Sequence, residues 1–135
     1  MKRKKKRSPP SKLKSLEKPL SELWRKLVCA RAGYKCEWCG RTMTLNAHHI
    51  ARKKSCRERW SLDNGMALCV DCHINRWHGQ SRGEAWMKST KEGKARWNRA
   101  QALKKIPYNK TKELQRREDL LVEFLQMAEE MQVII

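Results

Sequence analysis

The chain has 135 residues, with 32 lysines and arginines against 14 aspartates and glutamates, for a formal charge of +18. That length holds one small domain with tails, and six Trp, two Tyr and one Phe allow only a modest core that needs an additional staple. No apolar run of roughly 18 residues is present, and no apolar segment follows the basic N-terminus, which argues against a transmembrane helix and a secretory signal. So large a positive excess repels itself unless a polyanion is the usual partner, and nucleic acid is the commonest one. Without secretion, the six cysteines read as metal ligands and free thiols rather than disulfides.

Lys2 to Arg7 are consecutive cations, followed by Ser8-Pro9-Pro10. Like charges and prolines predict a disordered basic tail over residues 1–18, suited to gripping phosphates in a salt-sensitive way. A nuclear import signal would have the same composition. Residues 21–33 read as the first helix. Ser21 is a candidate N-cap, Leu23, Trp24, Leu27 and Val28 form one apolar stripe, and Gly33 ends it. Trp24 reads as core, and Cys29 as a small buried hydrophobe.

Cys36-Glu-Trp-Cys39-Gly40 and Cys69-Val-Asp-Cys72 are two CxxC knuckles. Each tight turn aims two sulfurs at one ion, and four thiolates close a tetrahedral shell of the kind that holds a structural zinc. A redox CxxC is the poorer reading, because there are two pairs and no βαβ pattern around either. Cys56 lies outside both knuckles and reads as a free thiol.

Between the knuckles, alternation around Leu45, Ala47 and His49, and again around Met66 and Leu68, predicts two short strands. A basic loop, residues 51–60, separates them, and Asp63-Asn64-Gly65 supplies turn chemistry before the second strand. His73 to Gly79 predicts one or two helical turns. Residues 82–104 predict one or two basic helices with Trp86, Trp97, Ala100 and Leu103 as apolar positions and Gly93 as the break. Residues 111–132 predict a last amphipathic helix, capped by Thr111, with Leu114, Leu121, Leu125, Ala128 and Met131 in one stripe and Phe124 close by. Its acid-rich face disfavours DNA contact and leaves pairing with a second copy open. The chain thus divides into a basic tail (1–18), a core (19–80), a basic helical extension (81–110) and a C-terminal amphipathic helix (111–135).

All four histidines fall between residues 48 and 78. Neutral imidazole binds cations and also takes a proton near neutral pH, and cutting a phosphodiester needs both abilities. Two histidines on the hairpin and one at the start of the helix are placed to converge on one cation. Adjacent strand residues point to opposite faces, so His48 and His49 share a site only if the strand bends or ends there.

The run His48-His49-Ile50, then Asn64, then Leu68-Cys-Val-Asp-Cys-His73 resembles the HNH endonucleases of the His-Me finger (ββα-metal) superfamily. The flanking knuckles resemble its zinc-stapled branch. Arg59-Trp60-Ser-Leu-Asp-Asn64-Gly65 and Trp77-His78 resemble small phage and bacterial members. The resemblance covers about residues 20–80. It implies a small α+β fold: a ββα-metal (HNH) core stapled by one zinc ion on four cysteines, with an N-terminal helix and C-terminal helices around it.

It further implies hydrolysis of DNA phosphodiesters with Mg²⁺ or Mn²⁺. His48 and His73 would hold that cation, His49 would act as general base, and Asn64 would tie the loop that holds the base. Some members use a second helix histidine as a third ligand. His78, however, lies about 140° beyond His73 on an ideal α-helix, which favours a phosphate contact or packing beside Trp77. Arg52, Lys53, Lys54, Arg57 and Arg59 are placed to grip flanking phosphates. The expected location is cytoplasmic and DNA-associated, or nuclear in a eukaryote, with no membrane partner. The alternative is a zinc-stapled nucleic-acid-binding module without chemistry, which leaves His48, His49, Asn64 and His73 together unexplained.

Overall fold

The chain becomes helical earlier than its composition suggests. The computed structural model describes residues 11–52, 59–78 and 82–134. The basic tail up to residue 10 lies outside them, as do Lys53, Lys54, Cys56 and Arg57. Helix α1 spans Lys12–Ser15 and α2 spans Glu17–Arg31. The expected tail to residue 18 and the expected cap at Ser21 are both corrected. Ser11 accepts from the Lys14 backbone N–H and caps α1. Pro19 sits in the first turn of α2, where its missing N–H costs no hydrogen bond. Ser21 lies inside α2, and its Oγ accepts from Trp60 Nε1 at 3.0 Å. Gly33, at φ +66°, ends α2 as its position suggests.

Strands β1 (Leu45–His49) and β2 (Gly65–Cys69) form one antiparallel hairpin, with Ala47 opposite Ala67 and His48 opposite Met66. A 3₁₀ turn, Leu62–Asn64, feeds β2. The hairpin carries a core on each face, because alternate side chains point opposite ways. Ala67 joins Leu20, Trp24, Leu27 and Val28 of α2, with Trp60, Phe124 and Ala128, and Ala47 packs against this cluster. Met66 and Leu68 join Cys36, Ile50, Cys69, Cys72, Met87 and Ala100. Two indoles lace α2 to the chain before β2: Trp24 Nε1 donates to Ser61 O at 2.8 Å, and Trp60 Nε1 to Ser21. Each indole therefore buries its large apolar surface and still satisfies its N–H.

Helix α3, Cys72–Trp77, is wound as a π-helix. Helices α4 (Arg82–Lys88) and α5 (Lys91–Ala102) follow. The break between them is at Ser89-Thr90, not at Gly93. Thr90 Oγ1 accepts from Gly93 N at 3.0 Å and caps α5, and a Cβ on Gly93 would collide with the Met87 carbonyl. Glycine is needed here for close approach rather than to break a helix.

Helix α6, Glu113–Glu130, packs on α2. Thr111 does not cap it, since its hydroxyl donates to Asn109 Oδ1. The buried face is also rotated from the expected stripe. It carries Glu113, Arg117, Phe124 and Ala128, whereas Leu125 and Met131 are exposed. The two charged groups are buried because they are paired: Arg117 Nε donates to Glu113 at 2.9 Å, and its guanidinium lies 4.9 Å over the Trp60 ring. No described helix is long and apolar enough to cross a membrane.

Candidate metal centres

The two knuckles bring Cys36, Cys39, Cys69 and Cys72 together, with all four sulfurs within 4.8 Å of one another. A tetrahedral zinc with Zn–S near 2.3 Å requires sulfurs about 3.8 Å apart. Cys39 Sγ and Cys69 Sγ are 3.6 Å apart. The protonation chemistry also fits a cation. Burial opposes ionisation of Cys36, but backbone N–H groups at Cys39, Cys69 and Trp38 aim at its sulfur and bring its pKa down to about 6. Cys72 is pushed up, first by burial and then by the other three sulfurs. Four crowded sulfurs, three of them on buried residues, cannot all ionise without a positive charge among them. The four cysteines can hold a zinc ion that ties the segment before β1 to the end of β2.

A second cluster lies where the hairpin meets α3. His48, His73 and His78 each direct a ring nitrogen into it, and these atoms also lie within 4.8 Å of one another. His73 Nε2 and His78 Nε2 are 3.2 Å apart. Two imidazoles on one tetrahedral ion, with metal–nitrogen bonds near 2.0–2.1 Å, give a separation of about 3.3 Å. A hydrogen bond between the two rings would account for that pair alone. It leaves His48 unexplained: the residue is 8% exposed, and its buried Nε2 has no hydrogen-bond partner. An orphaned buried nitrogen is costly unless something not made of protein takes its lone pair. Burial, then the neighbouring His73, His78 and His49, lower the His48 pKa to about 3. His73 is lowered too, by burial and by His78. His48 is thus held neutral at physiological pH, the form that ligates metal.

The placement of His78 departs from the α-helical expectation. An i→i+5 bonded helix stacks residues five apart, and α3 is wound that way. His78 therefore returns to the face of His73 and joins the cluster.

His49 does not join it. As the last residue of β1 it projects to the opposite face, where its ring stacks on Trp24 at 4.2 Å. Its Nε2 is 2.8 Å from Arg59 O. A carbonyl oxygen only accepts, so Nε2 carries a proton and donates it there. His49 lines a cavity of about 340 Å³ with Ser21, Trp24, Arg25, Ala47 and Arg59. Arg59 is also held by Glu17 at 3.3 Å and lies 4.8 Å over Trp60. Arg52 is exposed in the connection between the strands, three residues after β1 ends.

Asn64 is fully buried and brackets the chain two residues after His49. Its Oδ1 accepts from Ala51 N at 2.6 Å, its Nδ2 donates to Ala51 O at 3.0 Å, and its own carbonyl accepts from Ile50 N. The end of β1 is thereby fixed against the 3₁₀ turn. Sequence reasoning missed Arg25 beside His49, and it missed Trp24 as the ring on which His49 rests. Arg25 lies one turn of α2 from Ser21, and only the tertiary fold brings that turn to the strand. Comparison with known proteins finds no matching family model, no similar curated protein and no similar solved structure.

Proposed function

We propose that the chain is a metal-dependent endonuclease of the HNH type, hydrolysing DNA phosphodiester bonds. The observation that carries this reading is the orphaned, neutral His48 Nε2 facing His73 and His78, one residue before a histidine held at the strand end through its Nε2. A divalent cation bound by the three imidazoles supplies positive charge to the phosphate under attack. Three imidazoles, with no carboxylate beside them among the described residues, favour a transition-metal ion such as Mn²⁺, Co²⁺, Ni²⁺ or Zn²⁺ over Mg²⁺.

His49 acts as general base and accepts a proton from water, while Arg59 O and the Trp24 ring hold the imidazole in plane. His48 and His49 project from opposite faces of β1, so the scissile phosphate crosses the end of that strand. Arg25 and Arg59, which share the His49 cavity, and Arg52 grip the flanking phosphates, with Lys53, Lys54 and Arg57 completing the basic loop. Asn64 acts through the backbone, holding Ile50 and Ala51 so that His49 stays at the strand end.

The opposite projection of His48 and His49 also favours a second reading, a zinc-stapled nucleic-acid-binding module that does no chemistry. His49→Ala separates the two. On the first reading the wild type nicks plasmid DNA with Mn²⁺ or Co²⁺, and the variant loses cleavage while keeping its zinc, cation binding and DNA affinity. A wild type that binds DNA and cation but cuts single-stranded, duplex and branched DNA with none of these metals is the binding module.

A further inference from the structure

The sulfur cluster and the imidazole cluster are joined by a bridge that neither metal site requires. Glu37 stands between Cys36 and Cys39, and it treats β2 as a neighbouring strand would. Its backbone N donates to Ala67 O at 2.9 Å, and its carboxylate Oε2 accepts from Ala67 N at 2.7 Å. The carboxylate thus completes the outer edge of β2, which would otherwise present unpaired backbone groups. Arg96 of α5 locks this arrangement. It donates to Glu37 Oε1 at 2.7 Å and to Gly65 O at 2.7 Å. Arg31 of α2 donates to the same Gly65 oxygen at 2.7 Å.

The residues fixed in this way are the partners of the histidines. Gly65 lies opposite His49, Met66 opposite His48, and Ala67 opposite Ala47. The position of β2 against the first knuckle therefore sets the position of β1, and with it the depth at which His48 stands. His73 is set from the other side, because it follows Cys72 directly. Two imidazoles of the second cluster are thus referred to the four sulfurs: His73 directly through Cys72, and His48 through β2, which ends in Cys69 and is held along its outer edge by Glu37.

We infer that Glu37 is a positioning residue that couples the two metal centres: the loaded sulfur site, acting through Glu37 on β2, sets the affinity of the imidazole site for its cation. The inference rests on the reading of His48, His73 and His78 as a cation site, and not on DNA cleavage. Groups that orient metal ligands without touching the metal typically contribute about 10–100-fold in affinity. A purely structural role would lower stability and leave the affinity of the folded protein unchanged.

The test is a calorimetric titration of Co²⁺ into the full chain with zinc in the sulfur site. Absorption distinguishes imidazole from thiolate ligation, and metal analysis afterwards confirms that zinc stays in place. Glu37→Ala is expected to weaken Co²⁺ binding about 10-fold or more. Glu37→Gln keeps an oxygen for Ala67 N but loses the charge facing Arg96, so it should fall between. Phe124→Leu, in the core on the other face of the hairpin, should lower the melting temperature and leave Co²⁺ affinity unchanged.

Glu37→Ala that retains zinc and binds Co²⁺ within twofold of the wild type overturns the inference, as does an equal loss in Phe124→Leu. If Glu37→Ala does not retain zinc, Glu37→Gln and Arg96→Lys decide by the same criterion. A wild type that takes no Co²⁺ on its imidazoles removes the site and the inference together. Binding without cleavage removes only the nuclease reading.

Discussion

Replacing His48 with leucine should reverse the effect of cation on stability. In the cation-free protein the buried Nε2 of His48 has lost its water and gained no partner, a cost of about 1–3 kcal/mol. Leucine is of similar size, has good strand compatibility and leaves no polar atom behind. His48→Leu without cation is therefore expected to be more stable than the wild type by about 1–3 kcal/mol, or roughly 4 °C in melting temperature per kcal/mol at this chain length. Cation changes the order. At a hundredfold excess over its dissociation constant it stabilises the wild type by about 2.7 kcal/mol. The variant keeps two imidazoles, one of them exposed, and should gain little. The assay is thermal unfolding at pH 8 of both proteins, zinc retained in the sulfur site, with and without Mn²⁺ or Co²⁺. A variant less stable than the wild type without cation, or equally stabilised by it, would refute the claim that the site stores an unpaired ligand.

The same nitrogen makes the cation-free protein acid-sensitive. His48 has a folded pKa of about 3 against an ordinary value of 6.5, so between those values the unfolded chain binds a proton that the folded chain refuses. Stability should fall as pH drops from about 6.5 toward 3. The difference between wild type and His48→Leu should widen over that window and stay flat above it, as urea midpoints would show. Asn64→Ala leaves the N–H and C=O of buried Ala51 without their side-chain partner, at about 1–3 kcal/mol for each group, and denaturant unfolding should register a loss of about 2–6 kcal/mol. Arg25→Ala should lower the slope of log affinity against log salt for duplex DNA by about 1, with zinc content and fold unchanged. An unchanged slope would remove Arg25 from the phosphate-contacting set.

The legible features of this chain are those set within a few residues. A CxxC knuckle, an Asp-Asn-Gly turn and a period-two alternation each depend on local geometry, and the sulfur cluster, the 3₁₀ turn and both strands stand where those patterns put them. The misread features are those in which distant packing decides a local choice. The α-helical expectation sets His78 apart from His73, but α3 is wound as a π-helix, with Gly83 pressed against the Trp77 ring and His48 edge-on to it. Composition makes Gly93 a helix break, yet the cap belongs to Thr90 and the glycine to the Met87 carbonyl. The buried stripe of α6 is rotated because hydropathy counts Glu113 and Arg117 as surface residues, whereas mutual pairing and the Trp60 ring let them be buried. The Glu37–Arg96 pair spans 59 residues and leaves no periodic trace.

The rotation of α6 also bears on self-association. Its outward side carries Val122 and Leu125, with Val122 65% exposed, which is an invitation to pair with a second copy. The charged residues exposed with them are Glu118, Asp119, Glu123, Glu129 and Glu130, with no exposed cation on the helix. A two-fold contact places a surface against itself, so these carboxylates would face their own copies. Two apolar side chains contribute about 1.5–3 kcal/mol each when fully buried, less than the cost of association together with like-charge repulsion. Exposed charges are screened within about 10 Å at 0.1 M salt, so the repulsion weakens as salt rises while the apolar attraction does not. The chain is therefore expected to sediment as a monomer at low salt, with any pairing through α6 appearing only at high salt and disappearing in Val122→Lys. A dimer that is strongest at low salt and indifferent to Val122→Lys would show that a different surface, one of mixed charge, holds the copies together.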